Sequence, residues 1–128
     1  MSEAMKLTEQ QIEQLAVEIR EYLLEHEMWQ DVDIYFNHKR FECKDPETGK
    51  YYYNDREHLF VEEDIEPQTY FEYVNPDHIL SMSFEGPVCE MLYYDEYPAI
   101  RKGFDAIFEK YGLYYEFGHH WNFSCYYI

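Results

Sequence analysis

"HILSMSFEGPVCEMLYY", residues 78–94, is the stretch on which the architecture turns. His78, Leu80, Met82 and Phe84 alternate with Ile79, Ser81 and Ser83. That is the period of a β-strand, and the two serines mark one of its faces as partly open. Glu85-Gly86-Pro87 reads as a turn, and Val88–Tyr94 as the return strand of a β-hairpin. A hairpin in mid-chain sets its neighbours antiparallel, and the rest of the chain is consistent with that.

Toward the C-terminus, Pro98 suits the first position of a helix whose apolar stripe is Ile100, Phe104, Ile107, Phe108 and Tyr111. Asp95 and Glu96 stand where the helix dipole favours anions, and Gly112 terminates the helix. The closing segment, "LYYEFGHHWNFSCYYI", reads as a second hairpin. Leu113, Tyr115 and Phe117 are expected to face inward; Trp121, Phe123, Cys125 and Tyr127 share one face of the last strand.

Toward the N-terminus, Thr8 and Gln11 fit a capping box ahead of a helix from about Thr8 to His26, with Ile12, Leu15, Ala16, Ile19 and Leu23 as its apolar side. Ile34–Phe36 and Arg40–Cys43 read as strands joined by a tight Asn37-His38 turn. "KDPETGK" is a loop, and "YYYND" returns as a strand. The expected fold is α+β: a mainly antiparallel sheet of about five or six strands covered by two α-helices. The chain, residues 1–128, has the length of a single domain.

Composition narrows the function. The chain is 46% apolar and 20% aromatic, so its core leans on rings, yet its net charge is −17. Phosphate binding depends on Lys and Arg, so direct binding to nucleic acid or an anionic membrane is not expected. The charge favours a basic protein partner. Cys43, Cys89 and Cys125 are odd in number and form no C-x-x-C, which reads as reduced thiols in a cytoplasmic protein. "MSEAMKLTEQQ" carries no apolar run of the signal-peptide or anchor kind.

Little in the sequence points to catalysis. His119, His120 and Cys125 are metal-ligand types, but adjacent strand residues point to opposite faces. Cys89 with His78 would be a nucleophile and base only if the fold brought them together. No phosphate loop, nucleophile elbow or zinc helix motif is present. The expectation is a protein that is not an enzyme and needs no metal or other cofactor.

"VEEDIEPQTYFEY", residues 61–73, lies within a span from Glu57 to Glu96 that holds eleven carboxylates and no Lys or Arg. The chain also doubles its tyrosines, as at Tyr93-Tyr94, Tyr114-Tyr115 and Tyr126-Tyr127. Rings set among carboxylates suit Arg-rich partners through ion pairs and cation–π contact. In these features the chain resembles the small acidic inhibitor proteins of phages and mobile elements, the anti-restriction and anti-CRISPR proteins, some of which mimic DNA. The resemblance implies that the protein occupies the basic groove of a nucleic-acid-binding enzyme, such as a CRISPR or restriction nuclease. The partner-binding residues expected from the charge pattern are Glu62, Glu63, Asp64, Glu66, Tyr70, Glu72 and Tyr73, extended by Glu85, Asp95 and Glu96. The alternative is a homo-oligomeric accessory protein whose acidic surface serves only solubility.

Overall fold

The computed structural model describes residues 6–66 and 78–128. Among them the chain forms α1 (Glu9–Glu25), β1 (Val32–Phe36), β2 (Lys39–Glu42), β3 (Phe60–Glu63), β4 (Ser81–Phe84), α2 (Gly86–Leu92), α3 (Pro98–Lys110), β5 (Leu113–His119) and β6 (Asn122–Tyr127). The six strands make one sheet in the order β3-β2-β1-β4-β6-β5, and every neighbouring pair is antiparallel. The expected α+β fold is therefore present, with three described helices rather than two.

Local chemistry sets the element ends. The Thr8 hydroxyl accepts the Gln11 N–H (3.1 Å) while the Gln11 side chain accepts the Thr8 N–H (2.9 Å), so two otherwise orphaned donors of α1 are satisfied reciprocally. Asn37 and His38 both take left-handed backbone (φ 48° and 60°), as a two-residue hairpin whose twist matches its strands requires. Gly112 (φ 77°) ends α3.

The core lies under one face of the sheet. Ile34, Phe36, Phe41, Met82, Phe84 and Phe123 pack with Leu15, Ile19 and Leu23 of α1 and with Phe104 and Phe108 of α3. Rings dominate it: Tyr115 stacks on Phe123 at 4.4 Å, and Phe108 meets Phe123 edge-on at 5.8 Å. Among the described residues the opposite face carries a small apolar cluster of Tyr35 and Ile65, with Trp121 against it.

Four expectations change. Residues 86–92 are helix α2, not the return strand of a hairpin. Val88, Met91 and Leu92 are its buried residues, spaced one turn apart, and Pro87 cannot donate to a strand ladder but suits a helix start. "YYYND" makes only an isolated bridge, Lys44 with Tyr51, because Asn54 is tied to Trp29 by two hydrogen bonds of 2.8 and 2.9 Å. The third strand is Phe60–Glu63 instead. Trp121 falls in the turn after β5 and crosses to the face opposite Phe123. Phe117 reaches the inner-face rings Phe84 and Phe123 only at the rim and stays exposed.

Gly103 shows how tightly α1 and α3 approach. A Cβ there would overlap the Tyr22 hydroxyl and lie 2.9 Å from its ring Cζ, while that hydroxyl donates to Ile100 O at 2.8 Å. A glycine inside a helix costs about 1 kcal/mol against alanine, so Gly103→Ala would stabilise α3 if the space were free. With Tyr22 in place the substitution should lower the melting temperature. In a Tyr22→Ala background it should raise it. Thermal unfolding of the four proteins of this double-mutant cycle measures the sign change; the same sign in both backgrounds would refute the contact.

Candidate protein-binding surface

The acidic residues singled out from the sequence do not form one surface. Glu62, Glu63, Asp64 and Glu66 lie on or just after β3, the edge strand at one side of the sheet. Glu85, Asp95 and Glu96 follow β4 and α2. In the register, Ser81 of β4 aligns through Tyr35 and Arg40 with Glu62. Glu63 onward therefore continues past the Ser81 end of the sheet, whereas Glu85 leaves from the Phe84 end, three strands away. Tyr70, Glu72 and Tyr73 lie outside the described residues.

Two of the four carboxylates of the β3 group are engaged at home. Glu62 accepts from Arg40 Nη2 at 2.5 Å, and Glu66 stands 3.3 Å from His38 Nδ1. Glu63 is paired in register with Lys39. Arg40 therefore offsets the Glu62 charge at home, while the Lys39 ammonium reaches Glu13 at 3.4 Å rather than Glu63.

The second group stands in different surroundings. Every residue from Tyr93 to Ala99 is exposed, with Tyr93, Tyr94 and Tyr97 at 53%, 63% and 45%. Glu85 and Glu90 are exposed beside them, and with Tyr94, His120, Cys89 and Trp121 they line a shallow depression. Tyr93 and Tyr94 meet edge-on at 5.0 Å, and Tyr93 lies 5.3 Å from the His120 ring. The backbone holds this shape under strain: Asp95 (φ 59°) and Tyr97 (φ 58°) are both left-handed, which costs about 1–3 kcal/mol each. Arg101 secures the loop, donating to Leu92 O at 3.1 Å and standing 3.6 Å from Asp95. Glu90 was not singled out from the sequence. Reading 86–92 as a helix would have found it, since it projects away from buried Val88 and Met91.

The polar face of the sheet holds a second charged group. Glu42 is only 6% exposed and pairs with Arg40 at 3.3 Å. Asp33, on the same face, lies near the Tyr35 and Ser83 hydroxyls. Burial lifts the Asp33 carboxyl to about 6; the Glu42 charge adds to that shift, and Arg40 with the two hydroxyls opposes it. With Ser83, Tyr51, Trp121 and Glu85 these carboxyls line a cleft of about 360 Å³.

The weighed chemical groups do not converge. The Cys125 thiol belongs to the inner core and burial pushes its pKa up, His119 stacks on Trp121 at 5.2 Å, and His120 lies against Tyr93. Among the described residues no three His, Cys, Asp or Glu side chains are placed to share a metal ion. Cys89 Sγ donates to the His120 carbonyl (3.6 Å), while His78 bonds Ser81 Oγ (2.9 Å) at the other end of β4. No described helix is long and apolar enough to cross a membrane. Comparison of the chain with protein-family models, with curated proteins and with solved structures returned no match.

Asp33 gives a pH-dependent test of the polar face. Its folded pKa lies above the ordinary aspartate value of 3.8, so folding favours the protonated form. Below about pH 4 both states are protonated and there is no penalty; it grows as pH rises through 4 to 6 and is complete above 6, at about 3 kcal/mol. Asp33→Asn should therefore raise the melting temperature at pH 8 and leave it nearly unchanged at pH 4. Equal effects at both pH values would show that the carboxyl is not destabilised by burial.

Proposed function

We propose that the protein is a non-enzymatic inhibitor that occupies the basic groove of a nucleic-acid-binding enzyme, such as a CRISPR or restriction nuclease, through the face built by α2 and residues 93–97. The observation that carries this reading is the grouping of Glu85, Glu90, Asp95 and Glu96 with exposed Tyr93, Tyr94 and Tyr97, in a span with no Lys or Arg. A groove that binds nucleic acid presents Lys and Arg at phosphate spacing. Fixed carboxylates meet those cations. Tyrosine rings meet guanidinium planes and bring large contact area at low entropic cost. The strained, Arg101-tethered loop supports the same reading, because a preordered surface loses less entropy on docking.

In this arrangement the β3 carboxylates play a lesser part, since Arg40 and His38 already share Glu62 and Glu66. They contribute to the long-range field that steers a basic partner and raises its rate of encounter.

Purified nucleases test the proposal directly. The protein, added before substrate, should inhibit cleavage, and excess duplex DNA or added salt should relieve the inhibition. Each surface pair contributes up to about 1 kcal/mol, so Glu85→Lys, Glu90→Lys and Glu96→Lys together should weaken inhibition by about two orders of magnitude. All three residues are exposed, so the melting temperature should hold. Inhibition that survives the triple reversal would rule out this face.

A further inference from the structure

The two edges of the sheet are unlike each other. β3 is four residues long, its Glu62 is held by Arg40, and the chain turns away at Asp64 in left-handed backbone (φ 57°). Such features blunt an edge against pairing. β5 is seven residues long and contains neither Lys nor Pro. Its one irregularity, between Phe117 and His119, leaves Leu113–Phe117 as a regular ladder.

Hydrogen-bond parity shows what β5 offers. Cys125 N–H donates to Leu80 O and Phe84 N–H to Trp121 O, so the odd residues of β6 and of the turn before it spend their backbone on β4. Ile128 N–H donates to Gly112 O, so the even residues face β5. With Tyr114 opposite Tyr126 and Glu116 opposite Ser124, the even residues of β5 bond inward. The N–H and C=O groups of Leu113, Tyr115 and Phe117 therefore point off the edge, with no partner among the described residues.

A cleft flanks this edge on each face. The helix side, about 210 Å³, is lined by Asp105, Glu109, Phe108, Leu113 and Tyr115 among others. The open side, about 250 Å³, is lined by Glu116, Phe117, Asn122, Ser124 and Tyr126 among others. Asn122 is 2% exposed; its Oδ1 accepts the His119 N–H (3.0 Å), and its buried Nδ2 donor has no partner. Backbone groups along an edge with a side-chain cleft on either face are the components of strand addition.

We propose that β5 is a docking edge, taking an extended, Lys- or Arg-bearing segment of a partner protein as a seventh strand. Charge selects the occupant. Glu109 borders the helix-side cleft and Glu116 the open one; Asp105 is already shared by Arg101 and the Tyr115 hydroxyl, and Arg101 is committed to Leu92 O, Asp95 and Asp105. A second copy would bring another −17 against these carboxylates. This inference rests on the reading that the partner is basic, and it names how one segment of it is held.

The test uses the full chain, ¹⁵N-labelled, and an acetylated, amidated heptapeptide alternating Lys and Thr. Two twins carry N-methyl groups at the Lys or at the Thr positions; they keep the charge and remove one set of ladder donors each. With peptide at ten times its Kd, exchange of the Leu113, Tyr115 and Phe117 amides should slow by about tenfold. One twin should lose this effect and the other keep it. Equal action by all three peptides would reduce the interaction to charge alone and overturn the proposal. So would β5 amides already protected in a concentration-dependent way, which would place a second copy on the edge. The Glu85, Glu90 and Glu96 reversal leaves β5 untouched. Peptide docking without nuclease inhibition would thus count against the α2 face, and inhibition without edge protection against β5.

Discussion

The alternation of β4 is the constraint on which the structure depends. This strand sits between β1 and β6 and joins the two halves of the sheet. Leu80, Met82 and Phe84 go down into the ring-rich core, and Ser81 and Ser83 go up. A slip of one residue would bury two hydroxyls among phenylalanines and lift three apolar side chains into the polar layer. The register is reinforced from above, where Ser81 and Ser124 share a buried hydrogen bond of 2.7 Å across β4 and β6. With β4 fixed, Glu85 must leave at one end of the sheet and the β3 carboxylates at the other.

Much of this was legible in the sequence where one signal acted alone. The Thr8–Gln11 box, the Asn37-His38 turn, the Pro98 start and the Gly112 stop are each local chemistry, and each stands where the residues place it. Residues 86–92 were misread because the strand before them carried a clear period of two, which was extended into a segment whose buried positions follow the helical period. "YYYND" was misread for another reason. Its tyrosines have strand propensity, but Asn54 ties the segment to Trp29, a contact made only in the folded chain. Trp121 follows the parity of β6 on paper, but the strand begins one residue later than expected, at Asn122, and Trp121 is left in the turn.

The candidate surface was legible in kind and not in place. A cation-free span was visible from the charges, yet sequence proximity said nothing of which carboxylates were already matched. Arg40 and His38 come from another hairpin, and their approach to Glu62 and Glu66 depends on β2 pairing with β3. On the α2 face Asp95 is matched by Arg101, which the Leu92 carbonyl also holds, while Glu85, Glu90 and Glu96 have no ion pair among the described residues. The sheet's polar face shows the cost of the opposite situation. Asp33 has a cation nearby and is still lifted to about 6, because burial outweighs what Arg40 returns while also serving Glu42 and Glu62.

The strand order has a kinetic consequence as well. Hairpins β1–β2 and β5–β6 close over turns of two residues and can form early, each on its own. The central strand has no such local partner: Val32 pairs with Phe84 and Ser81 with Ser124, so both of its ladders close only after long stretches of chain are brought back. Sheets dominated by non-local pairing cross their folding barrier late and slowly, on the order of milliseconds to seconds. Until β4 docks, the two hairpins expose their apolar undersides. A net charge of −17 opposes the approach of a second chain, whether or not the sheet is complete.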